Sequence, residues 1–239
     1  MREVLKPLTA GSVPGMYRAL LKKTGIVGLL LVLTACGKSG EEPKESVSRD
    51  SLLLTSEDLP AGTQTARFTE PEQLVLNLLL DTPSDVGLPI EVAYEPAECG
   101  EQSSYADEAR LTLSDVDTTS MMAAYLDNER SYLALVSEVP LDIARVAEAH
   151  TGSCSTYRMN SRTITTSRLD LPPAIATENA VILYEVSDPD NPDWSNGEVV
   201  YGYASVDEYT VAALGMNGKE FEQEFTEFFT KAVLKVRDR

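Results

Sequence analysis

Residues Gly197 to Arg237 read GEVVYGYASVDEYTVAALGMNGKEFEQEFTEFFTKAVLKVR, and the fold follows from this stretch. Segments 197–205 and 208–215 read as two strands. The spacing Asn217-x-x-Glu220 then caps a helix whose Phe221, Phe225, Phe228, Phe229, Ala232 and Val236 recur at helical intervals and form one apolar stripe. Glu222, Glu224 and Glu227 lie toward its start and Lys231, Lys235 and Arg237 toward its end, the arrangement the helix dipole favours. A polar-backed helix after a run of strands closes over a sheet. The expected class is therefore α+β, a mainly antiparallel sheet packed by helices that include a long C-terminal amphipathic one.

Working toward the N-terminus, further strands are predicted at 154–159, 162–170 and 180–187. They are separated by Asn160-Ser161 and the prolines at 172–173, with Asn196-Gly197 ahead of the strand at 197. Residues 119–127 and 131–139 read as two more around the turn Asp127-Asn128-Glu129, with Met121 and Met122 as core filler. Pro140 suits the first turn of a helix that places Ile143, Val146, Ala147 and His150 on one face and stops at Gly152. Thr69-x-x-Glu72 predicts a short helix over Gln73–Leu80 that ends before Pro83. The folded part is expected to begin at Leu52, with Leu52-Leu53-Leu54 entering a capped turn closed by Pro60-Ala61-Gly62.

The first 35 residues read as an export signal. Arg18, Lys22 and Lys23 precede the apolar run Gly25 to Leu33 (GIVGLLLVL), far short of the roughly 20 residues that span a bilayer. Leu33-Thr34-Ala35-Cys36 is similar to the bacterial lipobox, which makes Cys36 the expected lipidated residue and mature N-terminus. Met16 opens a more typical signal than Met1 does. Each buried acyl methylene contributes about 0.8 kcal/mol, so two chains would hold the protein at the cell membrane on its extracytoplasmic face. Gly37 to Ser51 is polar and reads as a flexible tether, leaving 52–239 as a single domain.

Charge narrows the partners. Removing residues 1–35 takes away five basic residues and one acid, moving the formal net charge from −18 to −22. A surface so acidic repels nucleic acid. With Cys36 acylated, Cys99 and Cys154 remain, an even number in an oxidising compartment, and they are predicted to pair.

Most catalytic chemistries lack parts. The single histidine, His150, would have to serve any Ser–His–Asp arrangement, with Ser153 or Ser155 as nucleophile. Neither serine sits in a Gly-x-Ser-x-Gly elbow, and a half-buried histidine at a helix end is the plainer reading. No zinc ligand set or phosphate loop can be assembled, and no cofactor is expected. Asp188, Asp190 and Asp193 offer oxygens for calcium, but Pro192 breaks the EF-hand spacing and a solvated loop is preferred. Trp194 at that loop's tip could meet a ligand or the membrane interface, or fold onto the core. Glu98 and Glu101 read as surface charges.

Several short blocks carry a resemblance. Leu52-Leu53-Leu54 with Asp58-Leu59-Pro60-Ala61-Gly62, Pro96-Ala97-Glu98-Cys99, Cys154 and Leu169-Asp170-Leu171-Pro172 resemble a family of actinobacterial lipoproteins and extracellular sensor domains. These are akin to the ectodomain of a mycobacterial serine/threonine protein kinase, and the likeness spans about residues 52–237. The resemblance implies a disulfide-tied α+β domain with a sheet–helix cleft for an unidentified ligand. The kinase type carries more than one disulfide, whereas one pair is available here, and no kinase segment is present. The expected function is a non-enzymatic sensor or binding domain for a small or lipidic envelope ligand, with Tyr157, Tyr184, Tyr201 and Tyr203 on the sheet faces. The alternative is a structural lipoprotein that assists an envelope complex by binding a protein.

Overall fold

The computed structural model describes residues 48–68, 92–113, 115, 117–126, 130–189, 197–216 and 221–239. The expected signal peptide, Cys36, most of the expected tether, the helix expected at 73–80, the turn expected at 127–129, Asp190, Asp193, Trp194 and the expected cap pair Asn217 and Glu220 lie outside the described residues.

Among the described residues nine strands form one sheet. In chain order they are β1 (Gln64–Phe68), β2 (Tyr94–Glu95), β3 (Thr119–Tyr125), β4 (Ser131–Ser137), β5 (Thr156–Met159), β6 (Arg162–Leu169), β7 (Asn179–Pro189), β8 (Gly197–Val206) and β9 (Tyr209–Met216). Across the sheet the order is β1-β3-β4-β9-β8-β7-β6-β5-β2, and every neighbouring pair is antiparallel. Among the described residues four helices accompany it: α1 (Arg49–Leu52), α2 (Cys99–Thr112), α3 (Ile143–Thr151) and α4 (Glu222–Arg237). The α+β class with a closing C-terminal helix is what the sequence pattern called for.

Because side chains alternate across a strand, each face of the sheet acquires its own core. On one face α4 buries Phe225, Phe228, Phe229, Ala232, Val233 and Val236 against Tyr132 and Val136 of β4, Ile182 of β7 and Val200 of β8. Burying each such large side chain contributes roughly 1.5–3 kcal/mol. Leu52, Leu53 and Leu54 join this core at 1–2% exposure, which explains the apolar triplet that opens the domain. Asp58 fastens that opening: its carboxylate accepts from Thr55 N at 2.8 Å and from Lys235 Nζ of α4 at 3.0 Å. On the other face α2 and α3 bring Ala109, Leu113, Ile143, Val146 and Ala147 against Val181, Leu183, Tyr201, Tyr203, Ala212 and Leu214. Cys99 at the start of α2 is bridged to Cys154 just past α3, so the disulfide ties the two helices of this face together.

Some boundaries differ from the sequence reading. The ordered chain reaches back beyond Leu52: Arg49, placed in the expected tether, donates to Asp117 O at 2.8 Å and pairs with Glu138. Pro140 precedes α3 rather than forming its first turn. The cap is Asp142, whose carboxylate accepts from Arg145 N at 3.0 Å. Cys154 lies in a turn and β5 starts two residues later. The turn Asn160-Ser161 is as expected, with Asn160 at φ 55°, a conformation asparagine tolerates better than most residues.

Candidate functional site

The polar group that chemistry would need lies under α3. The spacing Ile143, Val146, Ala147, His150 turns one face of this helix onto the sheet, and all four residues are buried. His150 is 7% exposed, more deeply buried than a helix-end histidine need be. Its ring stacks on Tyr201 with centroids 6.0 Å apart, and Tyr201 stacks in turn with Tyr203 at 6.5 Å. His150 Nδ1 lies 3.9 Å from Glu185 Oε2, within ion-pair range when the imidazole is protonated. Thr166 Oγ1 donates to the same carboxylate oxygen at 3.4 Å. Glu185 reaches this position because Val181, Leu183 and Glu185 alternate onto the α3 side of β7.

The serines do not complete a nucleophilic arrangement. Ser153 is exposed with Oγ 3.9 Å from Cys154 Sγ, while His150 is buried beneath the helix. The backbone carbonyl of Ser155 accepts from Thr166 N across the strand pair. The group therefore consists of a carboxylate, an imidazole and two phenol rings packed as part of a core. His150 and Glu185 stand 3.9 Å apart, at ion-pair rather than hydrogen-bond distance, and neither Ser153 nor Ser155 completes the group as a nucleophile.

The four tyrosines do not converge. Tyr201 and Tyr203 face α3, whereas Tyr184 faces α4, and Tyr157 sits near the far sheet edge with its ring 6.0 Å from Tyr94. The phenol of Tyr184 is pushed up to about 12 by burial, by its hydrogen bond to Glu198 and by the negative charges of Glu198 and Glu222. Glu98 and Glu101 are exposed, and Asp188 is exposed near the end of β7. Among the described residues no group of three or more His, Cys, Asp or Glu side chains could hold a metal ion. Among the same residues no helix is long and apolar enough to cross a membrane.

Two concavities stand out. Beneath the end of α2, Leu113, Met121, Leu133, Leu135, Tyr201 and Tyr203 line an apolar cavity of about 30 Å³. That is room for one water-sized group, against roughly 300–1,000 Å³ for a small-molecule pocket. On the opposite face, an open groove of about 640 Å³ runs between the start of the domain and the C-terminal half of α4. Leu52, Leu54 and Leu234 form its apolar part, and Asp58, Lys231 and Lys235 are among the charges around them.

No family model matches the chain, and no curated protein sequence matches it. Among solved structures it is similar to an uncharacterized protein from Mycobacterium smegmatis, the Rv0999 ortholog, with 16% identity and a TM-score of 0.45. That comparison covers 76% of this chain and 93% of the other. It is also similar to the extracellular domain of PknH from Mycobacterium tuberculosis, with 13% identity and a TM-score of 0.36 over 84% of this chain and 100% of that one.

Proposed function

We propose that this chain is a membrane-tethered extracytoplasmic recognition domain that works by binding and performs no catalysis. The lipobox at Leu33 to Cys36 supports the anchor, and the Cys99–Cys154 bridge is at home in the oxidising space outside the cytoplasm. The observation that carries the recognition reading is the open groove of about 640 Å³ along α4. Its leucine floor and mixed charged walls suit an extended segment of an envelope protein. A small or lipidic ligand is the second reading, favoured by the wholly apolar lining of the cavity under α2. At about 30 Å³ that cavity needs substantial opening before it admits such a molecule.

Native mass spectrometry of the chain released gently from its host's membranes separates the two. The expected result is a complex with a protein of defined mass that Lys231→Glu abolishes. A small adduct that leaves on denaturation and is unaffected by Lys231→Glu would replace this reading with the ligand one. Cys36→Ser is expected to release the protein from the membrane and stop its labelling by radioactive fatty acid. Continued labelling would remove the anchor from the proposal.

A further inference from the structure

The groove along α4 has two walls. On the helix side, Lys231, Leu234, Lys235 and Asp238 recur at helical spacing, so they form one stripe next to the stripe that the core buries. Facing them are Ser51, Leu52 and Leu54 of the domain's opening, together with Asp58. Leu52 and Leu54 are core residues at 2% and 1% exposure, which leaves the half-buried Leu234 as the main apolar side chain the groove offers. From Lys231 to Asp238 the stripe runs roughly 10 Å. That is the length of about three residues of extended chain.

The charges around the groove are not equivalent. Lys235 Nζ donates to both carboxylate oxygens of Asp58, at 3.2 and 3.0 Å. Arg239 Nη2 lies 2.7 Å from Glu208 Oε1, with its guanidinium 4.4 Å from the centre of the Tyr209 ring. Asp238 accepts from Arg237 Nε at 2.9 Å. Lys231 is different: it is exposed, and among the described residues no carboxylate lies within ion-pair distance of its ammonium. Glu227, the acid one turn before it, accepts instead from Gln223 Nε2 at 3.1 Å. The side chains lining the groove thus include three cations, Lys231, Lys235 and Arg239, against the two anions Asp58 and Asp238. This is a local positive excess in a chain whose formal net charge is −18.

Position along the helix matters as well. Lys231 lies more than one turn before the end of α4 at Arg237. The negative end of the helix dipole is felt within the last turn, so it does not repel an anion at Lys231, whereas it opposes one beside Asp238. A carboxylate is therefore best placed at the Lys231 end, with an apolar group beside it on Leu234. An anionic bilayer is a poor match. One uncompensated lysine attracts its headgroups only weakly, and they repel a chain of such negative charge.

We propose that the α4 groove selects acidic protein segments: an extended stretch whose carboxylate pairs with Lys231 and whose neighbouring apolar side chain lies on Leu234. This rests on the reading of the groove as a protein-recognition surface and adds the chemical class and the orientation of the segment. The test selects random short peptides displayed on phage against the full chain with its disulfide intact, and in parallel against its Lys231→Glu variant. The full chain should enrich peptides that join Asp or Glu to an apolar residue, and Lys231→Glu should enrich Lys or Arg in place of the acid. A synthetic acidic peptide from the selection should bind Lys231→Met about tenfold more weakly in fluorescence anisotropy, and its binding to the full chain should weaken as salt is added. Apolar peptides enriched alike by both chains, without charge preference and lost in Leu234→Ser, would overturn the acidic class and leave the recognition reading standing. Acidic peptides held equally by Lys231→Glu bind elsewhere and would also overturn it. If neither chain enriches any peptide, the recognition reading falls together with this inference. Sedimentation with phosphatidylglycerol vesicles that Lys231→Glu abolishes would overturn it in favour of a lipid surface.

Discussion

Replacing Gly202 by alanine tests the packing of α4 on the sheet. Gly202 lies within β8, between Ile182 of β7 and Ala213 of β9. By strand propensity alone, alanine should be the better residue there by about 0.5–1 kcal/mol. The structure demands the opposite sign. A Cβ at this position would lie 2.6 Å from Phe229 Cδ2 and 2.7 Å from Cγ, and Phe229 is a fully buried ring that stacks on Phe225 at 6.3 Å. A fully buried ring stacked on Phe225 has little room to rotate away, so α4 must lift. Overpacking of this kind costs about 1–3 kcal/mol, and a contact with ring atoms rather than a flexible tip puts Gly202→Ala near about 3 kcal/mol. Phe229→Leu, which leaves a side chain able to yield, should cost about 1.5 kcal/mol alone. In the double variant the leucine moves off the new methyl, so the total should be about 2–3 kcal/mol, well short of the sum. Urea unfolding of the chain with its disulfide intact gives all four stabilities. A neutral Gly202→Ala, or single costs that add to within about 0.5 kcal/mol, would refute the argument.

Three further outcomes follow from the same interactions. Reducing Cys99–Cys154, which closes a loop with a sequence separation of 55, should cost about 4 kcal/mol; a urea midpoint unchanged by reductant would contradict this. Burial raises the Asp58 carboxyl, but the Thr55 N–H and hydroxyl and the Lys235 ammonium outweigh it and hold the group below its usual range. A depressed native value stabilises the fold above the unfolded pKa of about 3.9 and loses that contribution as pH falls through the lower native value. Asp58→Asn should therefore cost about 1 kcal/mol at pH 7, with the difference from wild type fading below about pH 4; a difference independent of pH would refute the assignment. Tyr184 should stay protonated until about pH 12, so its raised native pKa stabilises the fold below about pH 10 and that contribution is lost as pH rises through the native value. Ultraviolet titration should show the shift shrink in Glu198→Gln, and an unchanged titration would refute the cause.

The elements readable in the sequence are those whose periodicity their own packing enforces. Strands β3 to β9 each contact a neighbour on both sides or a covered face, and α4 must bury three phenylalanines, so their patterns are strong. β1 and β2 leave little trace in the sequence because edge strands of five and two residues bury little, and their pairing partners are remote in sequence. α2 is faint in the sequence for a different reason. Among its described side chains the buried ones include Ala106 and Ala109, small residues whose stripe is too faint to register as amphipathic. Its disulfide, by contrast, was legible from cysteine arithmetic alone.

The candidate site divides along the same line. The helical spacing of Ile143, Val146, Ala147 and His150 placed the histidine on the covered face, but nothing local says what it meets there. Glu185 and Thr166 reach it through the register of β6 with β7, a non-local fact. One signal was nevertheless present: a glutamate in step with Val181 and Leu183 on an otherwise apolar strand face demands a partner when buried. The tyrosines show the converse. Tyr184 and Tyr201 sit in paired neighbouring strands, yet the alternation of side chains sends them to opposite faces. A cluster of aromatic residues in sequence is thus no measure of a shared site. The disposition of glycines says more, because Gly202 and Gly215 on adjacent strands leave floor space for Phe229 and Phe225 and so fix where α4 lies.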